Sequence, residues 1–178
     1  MIPFPDWLES NKIFIDLKNS ENFSMEKKIL AVCKIDSYKR DQFGKRLVAL
    51  YLQKMPLFKL MPLDLLENIG GRIATRKYED GEYVCRIGDA GDCLYIIYKG
   101  TIEVCIPNIG KVGEMNAGDM VGKRAIETGE KRNADLRAKG ETNLLCLTAM
   151  DYNQCLLKAM EKEKKFFKEF LLQIPFFA

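Results

Sequence analysis

The hydrophobic pattern of the chain changes its period twice, near residue 72 and near residue 150. Before residue 72, apolar side chains recur at the spacing of one helix face, as at Met25, Ile29 and Val32. We expect helical structure from Ser24, a suitable N-cap, to about Leu52, and then a shorter helix that ends at a Gly-Gly pair. The first third of the chain is therefore predicted to be a helical lead-in that packs on the remainder of the protein.

Between residues 72 and 150 the period is two, which is typical of strands. Short apolar segments alternate with glycine turns, and several of these glycines neighbour aspartate. The segments are Tyr83–Cys85, Leu94–Ile97, Ile102–Ile106 and Leu144–Leu147. Many short strands at even spacing predict a small antiparallel sandwich or barrel.

After Met150 the helical period returns, and the charged run EKEKK is read as the solvated face of a helix. The segment FLLQIPFF at 170–177 echoes LYLQKMPLF at 50–58, with prolines at positions 56 and 175, which are 119 positions apart. A repeat at this distance is about one module long. We therefore expect a second copy of the module to follow.

Composition narrows the classes of function. A chain of 178 residues with 47% hydrophobic and 30% charged residues indicates one soluble domain with appendages, and no apolar run is long enough to span a membrane. The chain has no histidine, so Ser-His-Asp and Cys-His catalytic systems cannot be built, and we predict no enzymatic activity. A net charge of +3 is too small to favour nucleic acid as a partner.

The six cysteines lie far apart and form no CxxC pair. Without histidine they do not suggest a metal site, and the simplest interpretation is reduced, mostly buried thiols. We therefore expect a cytoplasmic protein that uses no metal.

One loop carries candidate chemistry. The stretch VGKRAIETGEKRNAD at 121–135 combines small residues, typical of an anion cradle, with lysines, arginines and acids. Two interpretations remain open: the loop holds a phosphate, or its charges pair with one another.

Two further stretches identify the pattern. YEDGEYVCRIGDAGDCLYIIYKGTIEV at 78–104 resembles the strand-turn-strand signature of the cyclic nucleotide-binding domain family, and MNAGDMVG at 115–122 resembles the entry to the family's phosphate cassette. The resemblance implies a mainly β fold with flanking helices: an antiparallel β jelly-roll barrel with an N-terminal helical bundle and C-terminal helices. It divides the chain into a lead-in at 1–49 and a domain at 50–178, with the barrel at 75–150 and the C-terminal helices at 151–178.

The resemblance also implies a ligand and a site. In the family, amides at the start of a short helix face a cyclic phosphate, and an arginine matched by Arg132 pairs with a phosphate oxygen. cAMP or cGMP is thus a possible ligand, and no other cofactor is expected. The implied cassette residues are Gly122, Lys123, Arg124, Ala125, Arg132, Asn133, Ala134 and Asp135.

The cassette departs from the family pattern at several positions. Lys123 stands where the family has the glutamate that binds the ribose, and Asp135 stands where it has threonine or serine. We therefore expect weaker than ordinary affinity for cAMP or cGMP. A Lys123–Asp135 or Arg132–Asp135 ion pair could instead fill the pocket with protein charge.

The sequence supports two functional hypotheses. In the first, the chain is a regulatory module, the first of a tandem pair, and its C-terminal helices move on ligand binding to signal to the second module or to an effector protein. In the second, it is a ligand-free scaffold or protein-interaction module. A DNA-binding regulator would need a helix-turn-helix after the C-terminal helix, and the chain ends at IPFFA without one.

Overall fold

The computed structural model describes residues 25–172, in which helices flank an antiparallel sheet on its N- and C-terminal sides. The helices are α1 (Met25–Cys33), α2 (Gln42–Leu52), α3 (Leu63–Gly70), α4 (Lys123–Thr128) and α5 (Ala149–Leu172), with a 3-10 turn at Ser37–Lys39. The strands are β1 (Ala74–Tyr78), β2 (Tyr83–Cys85), β3 (Cys93–Ile106), β4 (Gly110–Asn116), β5 (Met120–Val121) and β6 (Asp135–Thr148).

The helical lead-in is interrupted, in contrast to the helical stretch predicted up to Leu52. α1 ends at Cys33, and α2 begins only after Asp41, whose carboxylate accepts a 2.8 Å hydrogen bond from the backbone N–H of Gly44. An aspartate that caps the next helix favours a new start over continuation of the previous one. Ser24, the predicted cap of the first helix, lies outside the described residues.

Six strands form one antiparallel sheet in the order β1-β6-β3-β4, with β2 added to β6 and β5 added to β3. The predicted segments Leu94–Ile97 and Ile102–Ile106 belong to the single 14-residue strand β3, so the expected glycine turn between them is wrong. Gly100, at φ 93°, instead marks a shift in register, and a Cβ there would lie 2.6 Å from the carbonyl oxygen of Glu141. Two long strands that bend at such bulges curl the sheet into a barrel.

The central strands separate two hydrophobic cores. Leu94 and Ile96 of β3 pack towards the helices, while Tyr95 and Ile97 pack inside the barrel. This arrangement explains why the apolar segments of β3 and β6 are continuous rather than alternating, because a strand buried on both faces needs apolar residues at every position. The barrel interior opens at one end into the cassette.

The C-terminal helix α5 is one continuous helix through Leu172 in the described structure, where several helices were predicted. Its start is fixed by a reciprocal cap between Thr148 and Asp151, and Asp151 also forms a 2.8 Å ion pair with Arg72, just before β1. The predicted repeat at 170–177 falls mostly outside the described residues. None of the helices in residues 25–172 combines the length and apolarity needed to cross a membrane.

Candidate ligand-binding cassette

A cavity of about 300 Å³ opens between α4 and the end of the barrel. Seven of the eight cassette residues predicted from the sequence line it, namely Gly122, Lys123, Arg124, Ala125, Arg132, Asn133 and Ala134. Asp135 does not line it. The volume falls at the lower end of the range for small-molecule pockets, which suits a ligand of nucleotide size.

Arg132 is the buried cation of this cavity, and only 4% of its side chain is exposed. Two backbone hydrogen bonds of 2.8 Å, from Gly88 N to Arg132 O and from Arg132 N to Asp89 O, hold its main chain against the turn before β3. Its guanidinium donates from Nη1 to the carbonyl oxygen of Gly122 at 3.2 Å and from Nη2 to that of Cys93. The side chain thus connects β3 to the start of α4.

The charge of Arg132 is only weakly compensated. Among the described residues, the one carboxylate within 4.0 Å belongs to Asp92, at that limiting distance and with a side chain that is 74% exposed. The Nε atom is buried and makes no hydrogen bond. A guanidinium carries five N–H donors, so the two carbonyl contacts leave hydrogen-bonding capacity unused. An anion in the cavity would supply both charge and acceptors.

Two glycines allow α4 to approach so closely. Gly122 lies just before the helix at φ 91°, and a Cβ there would overlap Nη1 of Arg132. A Cβ at Gly91 would lie 2.5 Å from the Cβ of Ala125. The small residues at these three positions in the sequence therefore set the distance between α4, the preceding turn and the buried arginine.

Lys123 and Arg124 form the solvent side of the cavity, and each pairs with a carboxylate nearby in the sequence. The Nζ of Lys123 lies 3.6 Å from Glu127, one helical turn away, and Arg124 lies 3.3 Å from Glu130. The same Glu127 carboxylate accepts a 2.8 Å hydrogen bond from the hydroxyl of Tyr152 in α5. Lys123 is therefore connected through Glu127 to the C-terminal helix.

The internal ion pairs considered from the sequence are not formed within residues 25–172. The Asp135 carboxylate accepts a 2.7 Å hydrogen bond from the backbone N–H of Ile87, while Arg132 turns to carbonyl oxygens and Lys123 to Glu127. Asp135 is the first residue of β6 and caps the neighbouring turn, which is why it cannot also reach across the cavity. The hypothesis of a pocket closed by Asp135 is wrong.

Sequence reasoning missed the apolar wall of the cavity, formed by Cys85, Val104, Met115, Met120, Val121 and Leu136. Strand alternation contained a usable signal, because Val104 and Leu136 are direct partners in the β3–β6 ladder. Burial raises the pKa of the Cys85 thiol, and the charge of nearby Arg132 opposes this rise. The wall is thus apolar and uncharged, which suits the apolar part of a small-molecule ligand.

Residues 75–159 match the family model of the cyclic nucleotide-binding domain. Among curated relatives, the mouse cyclic nucleotide-gated channel alpha-4 is 30% identical over 112 residues. That match covers 59% of the chain but only 20% of the channel. The matched part of the chain thus spans about one fifth of the length of this relative.

Solved structures show the same fold. The regulatory domain of Toxoplasma gondii PKA, crystallised with cAMP, superposes with a TM-score of 0.60 at 22% identity, over 71% of this chain and 51% of that one. The regulatory subunit of a cAMP-independent protein kinase A from Trypanosoma cruzi, bound to guanosine, gives the same TM-score and identity over 67% and 44% of the two chains. The jelly-roll architecture predicted from the sequence is confirmed.

Proposed function

We propose that the chain is a regulatory module whose cassette cavity binds a purine cyclic nucleotide, and that α5 transmits the occupancy of this cavity to a partner. The observation that carries the proposal is the cavity itself: a buried, weakly compensated Arg132 faces the same space as the glycine-led start of α4. A cyclic phosphate matches this arrangement because it brings one negative charge and several acceptor oxygens.

The choice of a cyclic nucleotide over a nucleoside rests on Arg132. The structural neighbours include a domain crystallised with cAMP and a subunit bound to guanosine, so the fold accommodates a purine nucleoside with and without a phosphate. A neutral nucleoside would leave the buried guanidinium as weakly compensated as it is now. A phosphate would relieve that cost, since an unpaired buried charge is unfavourable.

Lys123 sets the expected affinity. A lysine offers donors and no acceptor, so it cannot receive a hydrogen bond from a ribose hydroxyl as a glutamate does. Losing such a charged acceptor costs about 1.5 to 3 kcal/mol, or roughly tenfold to a hundredfold in affinity. We therefore expect binding in the micromolar rather than the nanomolar range.

The same lysine provides a route for the signal. A ligand group that engages Lys123 competes with Glu127 for the ammonium, and Glu127 is the hydrogen-bond partner of Tyr152 in α5. Tyr152 is only 2% exposed, so a change at Glu127 acts on a buried anchor of the C-terminal helix. Displacement of α5 is how the module would alter its contacts with a second module or an effector protein.

The expected recipient of the signal is a second module of the same kind. The support is the sequence echo at 170–177, which repeats the entry to the first module. All six cysteines are free thiols, which fits a reducing cytoplasmic setting.

Calorimetry and thermal unfolding with cAMP, cGMP and guanosine test the proposal. A ligand at a hundredfold excess over its dissociation constant stabilises the folded protein by about 2.7 kcal/mol. We expect stabilisation by at least one cyclic nucleotide, its loss in Arg132→Gln, and its retention in the neighbouring control Lys131→Gln. If none of the three compounds stabilises the protein at millimolar concentration, the proposal that the cavity binds such a ligand is contradicted.

A second pair of variants tests the ribose interpretation. Lys123→Glu restores the acid of the family pattern and should raise affinity for the cyclic nucleotide about tenfold to a hundredfold. Lys131→Gln removes an exposed cation that does not line the cavity and should leave affinity nearly unchanged. Equal affinities for wild type and Lys123→Glu would show that this position does not contact the ribose.

The alternative is a ligand-free scaffold, and one observation favours it: Arg132 already donates to two carbonyl oxygens without a ligand. In that case its role is to fasten α4 to β3. The Arg132→Gln variant would then lower stability without changing the response to any nucleotide.

A further inference from the structure

A second cavity, of about 400 Å³, lies where the segment after α1 meets the barrel. One wall is the stretch 33–40, and the opposite wall comes from β1, Tyr98 of β3 and Asn143 of β6. It shares none of its lining residues with the cassette cavity. A ligand here would contact both the helical lead-in and the sheet.

Arg40 is the buried cation of this second cavity, with 3% of the residue exposed. Its Nη1 donates to the carbonyl oxygens of Gly70 at 2.8 Å and Ile73 at 2.7 Å. Its Nε is buried without a hydrogen bond, and within residues 25–172 no carboxylate lies within 4.0 Å of the guanidinium. Burial lowers the pKa of Arg40, yet an arginine stays charged at neutral pH.

The rim of the cavity adds positive charge. Asp36, the one acid of its lining, pairs with Lys39 at 3.2 Å, and Lys77 already bridges two glutamates. This leaves Lys34, which is exposed and has no ion pair within the described range, beside Arg40. Arg40 and Lys34 therefore line the cavity with no carboxylate of the described residues within 4.0 Å, and Asp36 attracts Arg40 only from farther away.

Neutral polar groups are also available. The hydroxyl oxygen of Thr75 is buried close to the Cys33 thiol, and Asn143 is buried at 7% exposure. The buried Nε of Arg40 has no partner, which is uncommon in folded proteins and points to a missing group. Thr75 and Arg40 both line the cavity, so one bound molecule could contact both residues.

We propose that this cavity binds a small organic anion, a carboxylate or a phosphate monoester, with Arg40 and Lys34 as its cationic contacts and Thr75 and Asn143 as its polar ones. The volume exceeds what a bare inorganic ion needs, which is why the ligand carries an organic part. Guanidinium and ammonium groups recognise both anion types. Because its walls belong to the lead-in and to the sheet, the bound anion fastens one to the other, independently of the cassette.

The test is an NMR titration of the full chain with inorganic phosphate and, separately, with succinate. The side-chain Nε–H signal of Arg40 reports on this cavity, and that of Arg132 reports on the cassette, so the two sites are read in one experiment. We expect the Arg40 signal to shift saturably with at least one anion below about 20 mM. Tighter binding of phosphate assigns a phosphate monoester as the ligand class, and tighter binding of succinate assigns a carboxylate.

Variants separate this site from general attraction of anions. Lys34→Glu should weaken the Arg40 response roughly fivefold or more, since it reverses a charge at the rim. Lys158→Glu makes the same charge change on the exposed side of α5 and should leave the response unchanged. An Arg40 signal that does not move with either anion, or that titrates equally in wild type and Lys34→Glu, overturns the proposal.

Discussion

The two cavities are built around two buried arginines that are used differently. Arg132 in the cassette and Arg40 in the second cavity each donate to two backbone carbonyls, and each has a buried Nε without a partner. Arg40 uses a single nitrogen for two carbonyls of the α3–β1 connection, three positions apart. Arg132 uses one nitrogen for β3 and another for the residue before α4.

This difference indicates which contact can change. The two acceptors of Arg40 belong to one short connection, so they move together and form a fixed tie. The two acceptors of Arg132 lie in separate parts of the fold, Cys93 in β3 and Gly122 just before the six-residue helix α4. Loss of one of the two hydrogen bonds of Arg132 would therefore free α4 from β3, whereas the same change at Arg40 would disrupt the connection itself.

The largest expected effect comes from Gly122→Ala. At φ 91° a side chain is strained, and its Cβ would also overlap Nη1 of Arg132. We expect a loss of about 3 kcal/mol in the free energy of unfolding, measured with urea. Gly129→Ala is the matched control at the other end of α4: its φ is 71° but no heavy atom lies within 4 Å of the added Cβ, so it should cost only about 1 kcal/mol. Equal losses of unfolding free energy in the two variants would mean that the close approach of Arg132 does not restrict the residue at position 122.

Replacing each arginine by methionine compares how much the hydrogen bonds of Arg40 and of Arg132 contribute to stability. Arg132→Met and Arg40→Met each leave two carbonyl oxygens without their donor, and each should cost about 2 kcal/mol in urea unfolding. Only Arg132→Met should abolish stabilisation by a cyclic nucleotide. Arg124→Met, on a side chain that is 74% exposed, is the control and should be nearly neutral. Loss of the nucleotide response in Arg40→Met would show that the two cavities are not independent.

Each cavity is lined by a cysteine whose thiol should make the stability of the protein depend on pH. Burial raises the pKa of Cys33 beside Arg40 and of Cys85 beside Arg132, while the arginine in each case opposes the rise. A thiol whose folded pKa exceeds its unfolded value contributes stability that is present below the unfolded pKa, near 8.5, and is lost as pH rises towards the folded pKa.

We therefore expect the free energy of unfolding to fall between about pH 8 and pH 10, by at most about 1.4 kcal/mol per pH unit for each such thiol. Cys33→Ala and Cys85→Ala should each make this decline shallower in urea titrations at several pH values. Cys105→Ala, at a partly exposed position in β3, is the control for removing a thiol. Unchanged slopes in both cavity variants would contradict the prediction.

The smallest effect on the free energy of unfolding is expected at the hydrogen bond between Tyr152 and Glu127, which connects the cassette to α5. Tyr152→Phe removes the 2.8 Å hydrogen bond to Glu127 and should cost about 1 kcal/mol. Tyr83→Phe is the control, because its ring lies 3.8 Å from the guanidinium of Arg86 and is retained by phenylalanine. If α5 responds to ligand binding in the cassette, Tyr152→Phe should also reduce the change in hydrogen exchange of α5 that the nucleotide causes. An unchanged exchange response would locate the signal elsewhere.

The sequence predicted the helical and strand regions well but not how they join. The glycine at position 100 reads as a turn, whereas the structure uses its positive φ for a bulge within one long strand. Local sequence cannot separate these outcomes, since both need a glycine and only pairing with β6 chooses between them. The break between α1 and α2 was missed for the opposite reason: Asp41 caps a helix locally, and the helical periodicity on both sides concealed it.

The sequence indicated which residues line the cassette cavity, but it did not indicate the hydrogen-bond partners of their side chains. Motif spacing identified the loop that carries Arg132 and Lys123, because the fold fixes the distance from strand to helix to strand. The partners of these side chains were not predictable: Arg132 bonds to main-chain oxygens, which every residue carries and no motif marks. The second cavity had no signal in the sequence, since Arg40 and Thr75 are 35 positions apart (75 minus 40) and meet only through packing.

By itself, the sequence indicated the resemblance of the barrel to a known family and the loop that lines the cavity, because glycine spacing and strand period are local properties of a chain. Only the tertiary structure decided that Asp135 caps a turn instead of closing the pocket, that Glu127 joins Lys123 to Tyr152, and that a second buried arginine lines a cavity. Each of these depends on which groups are brought within hydrogen-bonding distance across the fold, and that distance is set by packing of the whole domain.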